Sequence, residues 1–360
     1  TVSTVALVWS GLLLIALLVS GASAAMRDVA LSAASSVSGT FETPLSIVVY
    51  VLLLVAVSEA ARFPLDLYGG FVLERRYGLS TENLRGWLTD ACKGTALSAA
   101  LSIVAALVVY FFIRRFATLW WLPAGVTFSA LIVGLANLGP VLLLPLFYAI
   151  RPLEHESLRV RLMRLADRAG ARVLGAYEWG LSAKTKKANA ALTGLGATRR
   201  ILVSDTMLAD YSEDEIEVVL AHELAHHVHG DIWKGILFET VLVMAGCFVA
   251  AKSLSVGVPL FGLTGVDDVA GVPLLLLAAG AVSVLLLPLA HALSRRHERK
   301  ADRFALELTG NPAAFVSAMK RLSQQSLAEE DPGKVVEWLF YSHPPTRERI
   351  AAAKEFAASR

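Results

Sequence analysis

Apolar residues fall into six long runs along the chain, and shorter polar segments separate these runs. A membrane-spanning helix needs about 20 predominantly apolar residues. The runs cover residues 4–25, 44–63, 94–113, 117–149, 235–251 and 269–293. The pattern therefore predicts an α-helical integral membrane protein with about six transmembrane helices.

The fourth run, 117–149, is too long for one straight crossing. Its 33 residues would form a helix of about 50 Å, whereas the hydrocarbon core of a bilayer is about 30 Å thick. The run is either one kinked helix or two short spans broken at Gly139-Pro140. The first run also has a second interpretation, because "GASAA" at 21–25 resembles a signal-peptide cleavage site. No basic region precedes this run, so we interpret it as a transmembrane helix.

Basic residues lie mostly on one side of these six spans. With a cytoplasmic N-terminus, the outer loops carry only Arg27, Arg114, Arg115 and Lys252. Almost all other Lys and Arg residues lie in the inner segments 64–93, 150–234 and 294–360. Cytoplasmic loops of membrane proteins are enriched in Lys and Arg. The charge distribution therefore favours six spans and places the long polar segments in the cytoplasm.

Composition agrees with a membrane protein and excludes a nucleic-acid-binding one. The chain is 55% hydrophobic and 18% charged, and its mean hydropathy is +0.58. The net charge is only +2, and no Lys- or Arg-rich tract occurs. The two cysteines, Cys92 and Cys247, form no CxxC spacing. Any bound metal must therefore be held by histidines and carboxylates.

Local patterns predict several elements in the polar segment before the fifth apolar run. Residues 153–169 have apolar positions at helical spacing. The stretches 187–194 and 199–208 are short, partly β-branched and punctuated by glycine, which suggests a small hairpin. Ser212 and Glu215 then form a capping box, which predicts that a helix begins there.

This helix carries the sequence "HELAH" at 222–226, an HExxH motif. His222 and His226 are four residues apart, so both imidazoles rise from one helical face and can bind one Zn²⁺. Glu223 is rotated by about 100° around the helix axis. That position suits a general base beside a zinc-bound water better than a third ligand.

A third protein ligand must come from elsewhere in the chain. His229 shares the helical face, but it lies two turns beyond His222, about 10.5 Å along the axis, and His227 points away from that face. We interpret both as surface or supporting histidines. A downstream helical stretch carries Glu298 and Asp302 four residues apart. Glu298 would complete a His₂Glu zinc site, and an Asp on the same face would accept the free ring N–H of a ligating histidine. An ordinary solvated run of charges is the alternative interpretation.

Several separated stretches resemble the Ste24 or type I CAAX prenyl protease family of integral-membrane zinc metalloproteases. They follow the family's order from the second apolar run almost to the C-terminus. The stretches are "FPLDLYGGFVLERRYGLS" at 63–80, "KANAALTG" at 187–194, "HELAH" at 222–226, "LSRRHERKAD" at 293–302 and "YSHPPTRERI" at 341–350.

The resemblance implies a mechanism and a site. It implies one Zn²⁺ per chain and a ring of membrane helices that encloses a water-filled chamber, with a small α+β zincin-like HExxH domain. It assigns roles to eight residues, with His222, His226 and Glu298 as zinc ligands, Glu223 and His343 as catalytic residues, Asp302 as a partner of a zinc ligand, and Asn189 and Arg349 as substrate-binding residues.

Four parts of the chain are predicted on this basis. Residues 1–150 hold transmembrane helices 1 to 4 and a juxtamembrane loop at 64–93. Residues 151–234 form a cytoplasmic metalloprotease segment with the substrate-binding hairpin and the HExxH helix. Residues 235–293 hold transmembrane helices 5 and 6, and residues 294–360 contain the Glu ligand and the SHPP motif.

The predicted function is membrane-embedded zinc endopeptidase activity, with processing of CAAX-type, prenylated C-terminal peptides implied by the resemblance. Compact length and frequent Ala and Arg suggest a bacterial member of the inner membrane, acting as a monomer on a peptide or protein substrate. Eukaryotic family members have seven spans, and prenylated substrates are not expected in bacteria. The main alternative is an HtpX-like quality-control protease that cuts misfolded membrane proteins. A non-catalytic membrane scaffold and a zinc transporter are further alternatives, but a transporter would place ionisable ligands within its spans.

Overall fold

The computed structural model describes residues 2–359 except 36, 38, 40, 195, 328 and 330. Six helices within these residues are long and apolar enough to cross a membrane, which confirms the predicted number. They are Val2–Val19, Glu42–Arg76, Leu84–Arg115, Trp121–Leu142, Asp231–Leu260 and Val269–Thr309.

The chain divides into two units, each assembled from separate segments. The first contains residues 1–77, 83–130 and 239–285, and the second contains 78–82, 131–238 and 286–360. The first unit holds helical segments alone among its described residues, whereas the second also holds a sheet.

The first unit begins with two helices where one was predicted. Helix α1 (Val2–Val19) ends before Gly21, whose φ of 76° reverses the chain in the left-handed region that glycine tolerates. Helix α2 (Ala22–Ala34) follows. The predicted first span 4–25 is therefore too long at its end, and the predicted link after it is partly helical. Arg27 and Asp28 interrupt the apolar pattern of α2, so the hydropathy pattern did not predict this helix.

Helices α3 (Glu42–Leu67), α4 (Glu74–Arg76) and α5 (Leu84–Arg115) complete the N-terminal part of this unit, and a π-helical turn at Tyr68–Leu73 joins α3 to α4. Its core is apolar, and several polar groups contact one another within it. The Ser23 and Tyr50 hydroxyls lie 2.7 Å apart, Tyr110 donates to the Asp268 carbonyl, and Arg27 pairs with the Asp268 carboxylate at 2.7 Å. These contacts give partners to polar groups that the packing of the helices removes from water.

The fourth apolar run contains one long helix, which settles the question left open by its length. Helix α6 (Trp121–Leu142) passes through Pro140 and ends two residues later. A short helix, α7 (Leu144–Phe147), follows. At 22 residues, α6 spans about 33 Å, which matches one crossing of the bilayer.

The second unit contains a four-stranded sheet, ordered β1-β2-β4-β3. Its strands are β1 (Ile150–Pro152), β2 (Ala176–Trp179), β3 (Ala190–Thr193) and β4 (Arg200–Ser204). Strands β3 and β4 are antiparallel with Ala190 opposite Val203, which confirms the predicted hairpin. The second predicted stretch, 199–208, is too long, because Ser204 caps helix α9 (Asp205–Asp210) through the Met207 N–H. Strands β1 and β2 were not predicted.

Further helices lie wholly or partly in this unit, and some of them bury the HExxH helix. They are α8 (Glu156–Arg168), α10 (Glu213–Val228), α11 (Asp231–Leu260), α12 (Val272–Thr309), α13 (Pro312–Ser326), α14 (Lys334–Phe340) and α15 (Thr346–Ala358). Helix α10 contacts α8, α13 and β3. The predicted capping box at Ser212 and Glu215 is present. Leu220, Ala221, Leu224 and Ala225 are fully buried, so the motif lies on a rigid, packed helix.

A segment from the juxtamembrane loop also lies in the second unit. The Lys186 N–H donates to the Leu79 carbonyl at 2.8 Å, and the Thr81 N–H donates to the Lys184 carbonyl at 3.1 Å. Ser80 and Thr185 form an antiparallel bridge. Residues 78–82 therefore run strand-like along the loop that leads into β3.

Candidate metal centre

Two helices bring three ligand groups together. Helix α10 carries His222 and His226, and α12 carries Glu298. The Nε2 atom of His222 lies 3.2 Å from Glu298 Oε2, and the Nε2 atom of His226 lies 3.3 Å from Glu298 Oε1. These three residues are also a group of described residues whose ligand atoms all lie within 4.8 Å of one another.

The arrangement fits a zinc ion. Zinc–ligand bonds of about 2.0–2.2 Å in a tetrahedron place neighbouring ligand atoms about 3.4 Å apart, and the two observed separations match this. Glu298 Oε2 is buried and receives no well-aligned hydrogen bond from the described residues, despite its closeness to His222. Such a buried acceptor is costly unless it binds a cation. The two histidines and Glu298 therefore agree with a His₂Glu zinc site.

The other ring nitrogen of His222 faces Asp302. His222 Nδ1 lies 2.9 Å from Asp302 Oδ1, and the pair is buried. Burial by itself lowers the pKa of the His222 imidazole, but contacts with Asp302 and Glu298 outweigh it and raise the pKa to about 9. The Asp302 carboxylate fixes the ring orientation so that Nε2 points to the metal position.

Arg349 lies behind this pair. Its Nε and Nη2 atoms donate to the two Asp302 oxygens at 2.8 and 2.5 Å, and Nη2 lies 3.4 Å from His222 Nδ1. A bidentate guanidinium–carboxylate contact is strong and directional. The structure thus places Arg349 next to the metal centre through Asp302, and its predicted contact with substrate stays a prediction.

His226, the second predicted metal ligand, has a carboxylate partner that the sequence analysis missed. His226 Nδ1 lies 3.1 Å from Asp231 Oδ2. Asp231 is the first residue of α11, five residues after His226. In a continuous helix, Asp231 would face away from His226. In the sequence, only the helix break at Gly230 could have indicated that the two residues are in contact.

Glu223, the predicted general base, interacts electrostatically with His222, His226 and Glu298. Burial raises its pKa above the usual value of a carboxyl group, although His222 and His226 act in the opposite direction. A carboxylate with a raised pKa accepts a proton more readily at neutral pH. Glu223 is not in the ligand group formed by the two histidines and Glu298.

His343 approaches the same carboxylate from a turn. Its Nε2 atom lies 3.6 Å from Glu298 Oε2, and its Nδ1 atom lies 2.9 Å from the Ser342 hydroxyl. Arg295 holds the start of the turn by donating to the Tyr341 carbonyl at 2.6 Å. Pro344 and Pro345 keep this turn out of helical conformation until α15 begins. The SHPP turn therefore presents the Nε2 atom of His343 towards the Glu298 carboxylate.

The remaining predicted residues lie outside the ligand group. The His229 ring packs against Phe304 with centroids 5.6 Å apart, and neither His229 nor His227 is in that group. The Asn189 N–H donates to the Ser204 hydroxyl, and its carbonyl accepts from the Ser204 N–H, at 2.9 Å each. The Asn189 side chain is exposed, and its predicted role in substrate binding remains untested.

A His₂Glu cluster next to Glu223, in a chain with six candidate spans, is the arrangement of a membrane-embedded metalloprotease. The chain belongs to peptidase family M48, whose family model matches residues 152–357. A second model, described as CAAX prenyl protease N-terminal with five membrane helices, matches residues 1–149. In this structure the same residues hold four candidate spans and the shorter helix α2.

Named relatives agree with this assignment. The chain is 32% identical over 310 residues to the uncharacterized metalloprotease YhfN of Bacillus subtilis, an alignment that covers 85% of this chain and 72% of that protein. It is 29% identical over 324 residues to CAAX prenyl protease 1 of Saccharomyces cerevisiae, covering 83% and 70%. The crystal structure of S. mikatae Ste24p shares the fold, with a TM-score of 0.80 at 24% identity, covering 91% of this chain and 79% of that one.

Proposed function

We propose that the protein is a zinc endopeptidase that removes C-terminal peptides of the CAAX type, with one zinc ion held by His222, His226 and Glu298. The observation that carries the metal assignment is the convergence of these three groups on one point, with a buried Glu298 oxygen that lacks another well-aligned partner among the described residues. The substrate class rests on the similarity to CAAX prenyl protease 1. The HtpX-like alternative is not favoured, because the N-terminal family match is to the CAAX prenyl proteases.

Each residue has a distinct role in the proposed reaction. Bound zinc supplies a Lewis acid that polarises the scissile carbonyl and makes water more acidic. Glu223 accepts a proton from the attacking water and then delivers it to the nitrogen of the leaving amine. His343 donates a hydrogen bond to the carbonyl oxygen as negative charge develops there. For that donation the imidazole of His343 must carry its proton on Nε2. This tautomer is the one present when the Ser342 hydroxyl donates to Nδ1.

The free edge of β3 offers a place for the peptide. Strand β3 pairs with β4 on one side and is last in the sheet order, so no other strand among the described residues pairs with its second edge. An extended peptide can add to such an edge through main-chain hydrogen bonds. We propose that Asn189, at the start of β3, lines this groove.

We also propose that the site faces the cytoplasm, that the chain is a monomer and that it resides in a bacterial inner membrane. The excess of Lys and Arg in the segments on either side of the last two spans supports this orientation.

A direct test uses the purified protein in detergent with two substrates, a farnesylated CAAX peptide and casein. We expect cleavage of the farnesylated peptide, complete loss with a zinc chelator and recovery when zinc is restored. An unfarnesylated peptide of the same sequence separates recognition of the lipid from recognition of the peptide. Cleavage of casein alone would contradict the proposed substrate class, and cleavage that survives chelation would contradict the metal assignment.

A further inference from the structure

We propose that Asp231 is a positioning residue for the metal centre, which orients His226 as Asp302 orients His222. This inference rests on the proposed zinc site. It adds a carboxylate that belongs to neither the HExxH motif nor the Glu298 helix, and that lies at the first residue of a membrane-spanning helix.

The contacts of Asp231 are short and shielded from solvent. Its side chain is 6% exposed, and its Oδ2 atom lies 3.1 Å from His226 Nδ1. Its other oxygen, Oδ1, accepts from Lys234 Nζ at 2.9 Å and lies 3.7 Å from His297 Nε2. His297 precedes the ligand Glu298 on α12. One carboxylate therefore contacts both helices that supply metal ligands.

The chemistry of an imidazole ligand explains why this contact matters. A neutral imidazole binds metal through one nitrogen and carries its proton on the other. A carboxylate that faces Nδ1 holds the proton there and leaves the lone pair of Nε2 directed at the metal. His226 Nε2 is the nitrogen that faces Glu298. With Asp231 on His226 and Asp302 on His222, each histidine of the site has its own carboxylate partner.

The chain reaches this arrangement through a break between α10 and α11. In a continuous helix, residues five apart are rotated by about 140° around the axis, so Asp231 and His226 would face different sides. Gly230 adopts a φ of +67°, a left-handed conformation that ends α10 and turns the chain back. The turn places the first residue of α11 beside the last motif histidine.

A purely structural role for Asp231 is the competing explanation. A carboxylate in the first turn of a helix stabilises that helix through its dipole, and Lys234 pairs with the same carboxylate. This role predicts an effect on folding but none on the intrinsic affinity for metal. The two explanations therefore differ in what happens to zinc binding in a folded variant.

The test measures the zinc dissociation constant of the full-length protein in detergent, by competition with a chromophoric chelator. We expect Asp231→Ala to bind zinc about 10- to 100-fold more weakly, the range found when such outer partners of zinc ligands are removed. Asp231→Asn, which keeps the volume and one acceptor oxygen, is expected to lie between Asp231→Ala and the wild type. Asp302→Ala serves as a reference for loss of a carboxylate partner.

Lys234→Met is the matched control, because it removes another partner of the same carboxylate and leaves the contact with His226. We expect its zinc dissociation constant to stay within about twofold of the wild type. The visible absorption of the cobalt-substituted protein gives a second readout, and it is expected to change in the Asp231 and Asp302 variants but not in Lys234→Met.

Two results would overturn the inference. One is a folded Asp231→Ala variant whose zinc affinity and cobalt spectrum equal those of the wild type. If Asp231→Ala does not fold, the same result for Asp231→Asn would overturn the inference. The other is an equal loss of zinc affinity in Lys234→Met, which would indicate a general effect of the ion pair. A wild-type protein that binds no zinc would instead reject the proposed function.

Discussion

Glu298 lies at the point where the histidines of the site converge. Ring nitrogens of His222, His226 and His343 lie 3.2, 3.3 and 3.6 Å from its carboxylate oxygens. Glu223 is close enough to interact electrostatically with Glu298, His222 and His226, but it is not in the ligand group. This difference agrees with the proposed roles of Glu298 as a metal ligand and of Glu223 as a general base.

We expect Glu223→Ala to keep zinc and to lose peptidase activity by at least about 10²-fold, because general bases contribute about 10²- to 10⁴-fold. Elemental analysis gives the zinc content, and cleavage of a peptide gives the rate. Glu217→Gln is a suitable control, since Glu217 lies on the same helix but pairs with Arg161. Loss of zinc from a folded Glu223→Ala would contradict the assigned role.

His343→Ala tests the second catalytic role. A donor to a developing oxyanion contributes about 3–4 kcal/mol to the transition state, so kcat should fall by about 10²-fold or more while zinc is retained. Ser342→Ala removes only the partner of Nδ1 and should cause a smaller loss. If KM rises and kcat stays within a few-fold of the wild type, His343 binds substrate and does not stabilise the oxyanion.

At the scale of elements, the HExxH helix depends on an acidic residue at its start. Burial by itself raises the pKa of Glu215, but hydrogen bonds from Ser317 and Ser212, together with Arg321, lower it below its usual value. A carboxyl group with a lowered pKa in the folded state stabilises the fold above its unfolded pKa of about 4.3. That contribution disappears as the pH falls through the folded-state pKa.

We therefore expect Glu215→Gln to unfold at a lower temperature than the wild type at pH 7, by an amount equivalent to about 1 kcal/mol, which is typical of a lost helix cap. The difference between the two melting temperatures should shrink as the pH is lowered from 7 to about 3. Thermal unfolding in detergent measures the two melting temperatures. Release of zinc at low pH affects the variant and the wild type alike, so the difference between them reports on Glu215. A difference that is independent of pH would contradict the pKa argument.

Elements defined by neighbouring residues were predictable from the sequence. The capping box and the i, i+4 pair of Glu298 and Asp302 depend on residues three or four positions apart, and the β3–β4 hairpin pairs residues at most 13 positions apart, Ala190 with Val203. Strand β2 instead pairs in parallel with β4, whose residues lie 25 positions further along the chain. No local pattern encodes such a pairing, because it becomes favourable only once the core has formed.

The same limit applies to the site. Asp302 was predicted since it shares a helical face with Glu298, whereas Asp231 was missed because its approach to His226 depends on the left-handed Gly230. Helix α2 was missed for a different reason. Its apolar pattern is interrupted by Arg27, which pairs with Asp268, a residue 241 positions away.

For the whole molecule, the distribution of basic residues predicts the orientation in the membrane. We expect Lys300→Cys to be modified by a membrane-impermeant maleimide only after the membrane is opened, and Ser32→Cys to be modified in intact cells. Both positions are exposed. Cys92 and Cys247 are replaced in both variants so that each has a single thiol. The reverse labelling pattern would place the proposed site outside the cytoplasm.

The order of the ligands along the chain has a consequence for biosynthesis. His222 and His226 precede helix α11, and Glu298 lies beyond the apolar part of α12. Two membrane crossings therefore separate the first two ligands from the third, and a nascent chain that has emerged only as far as the motif lacks Glu298. The complete proposed ligand set therefore exists only after the fifth and sixth spans have been synthesised. On the proposed zinc site, we expect metal binding to follow the synthesis of both spans during production of the chain.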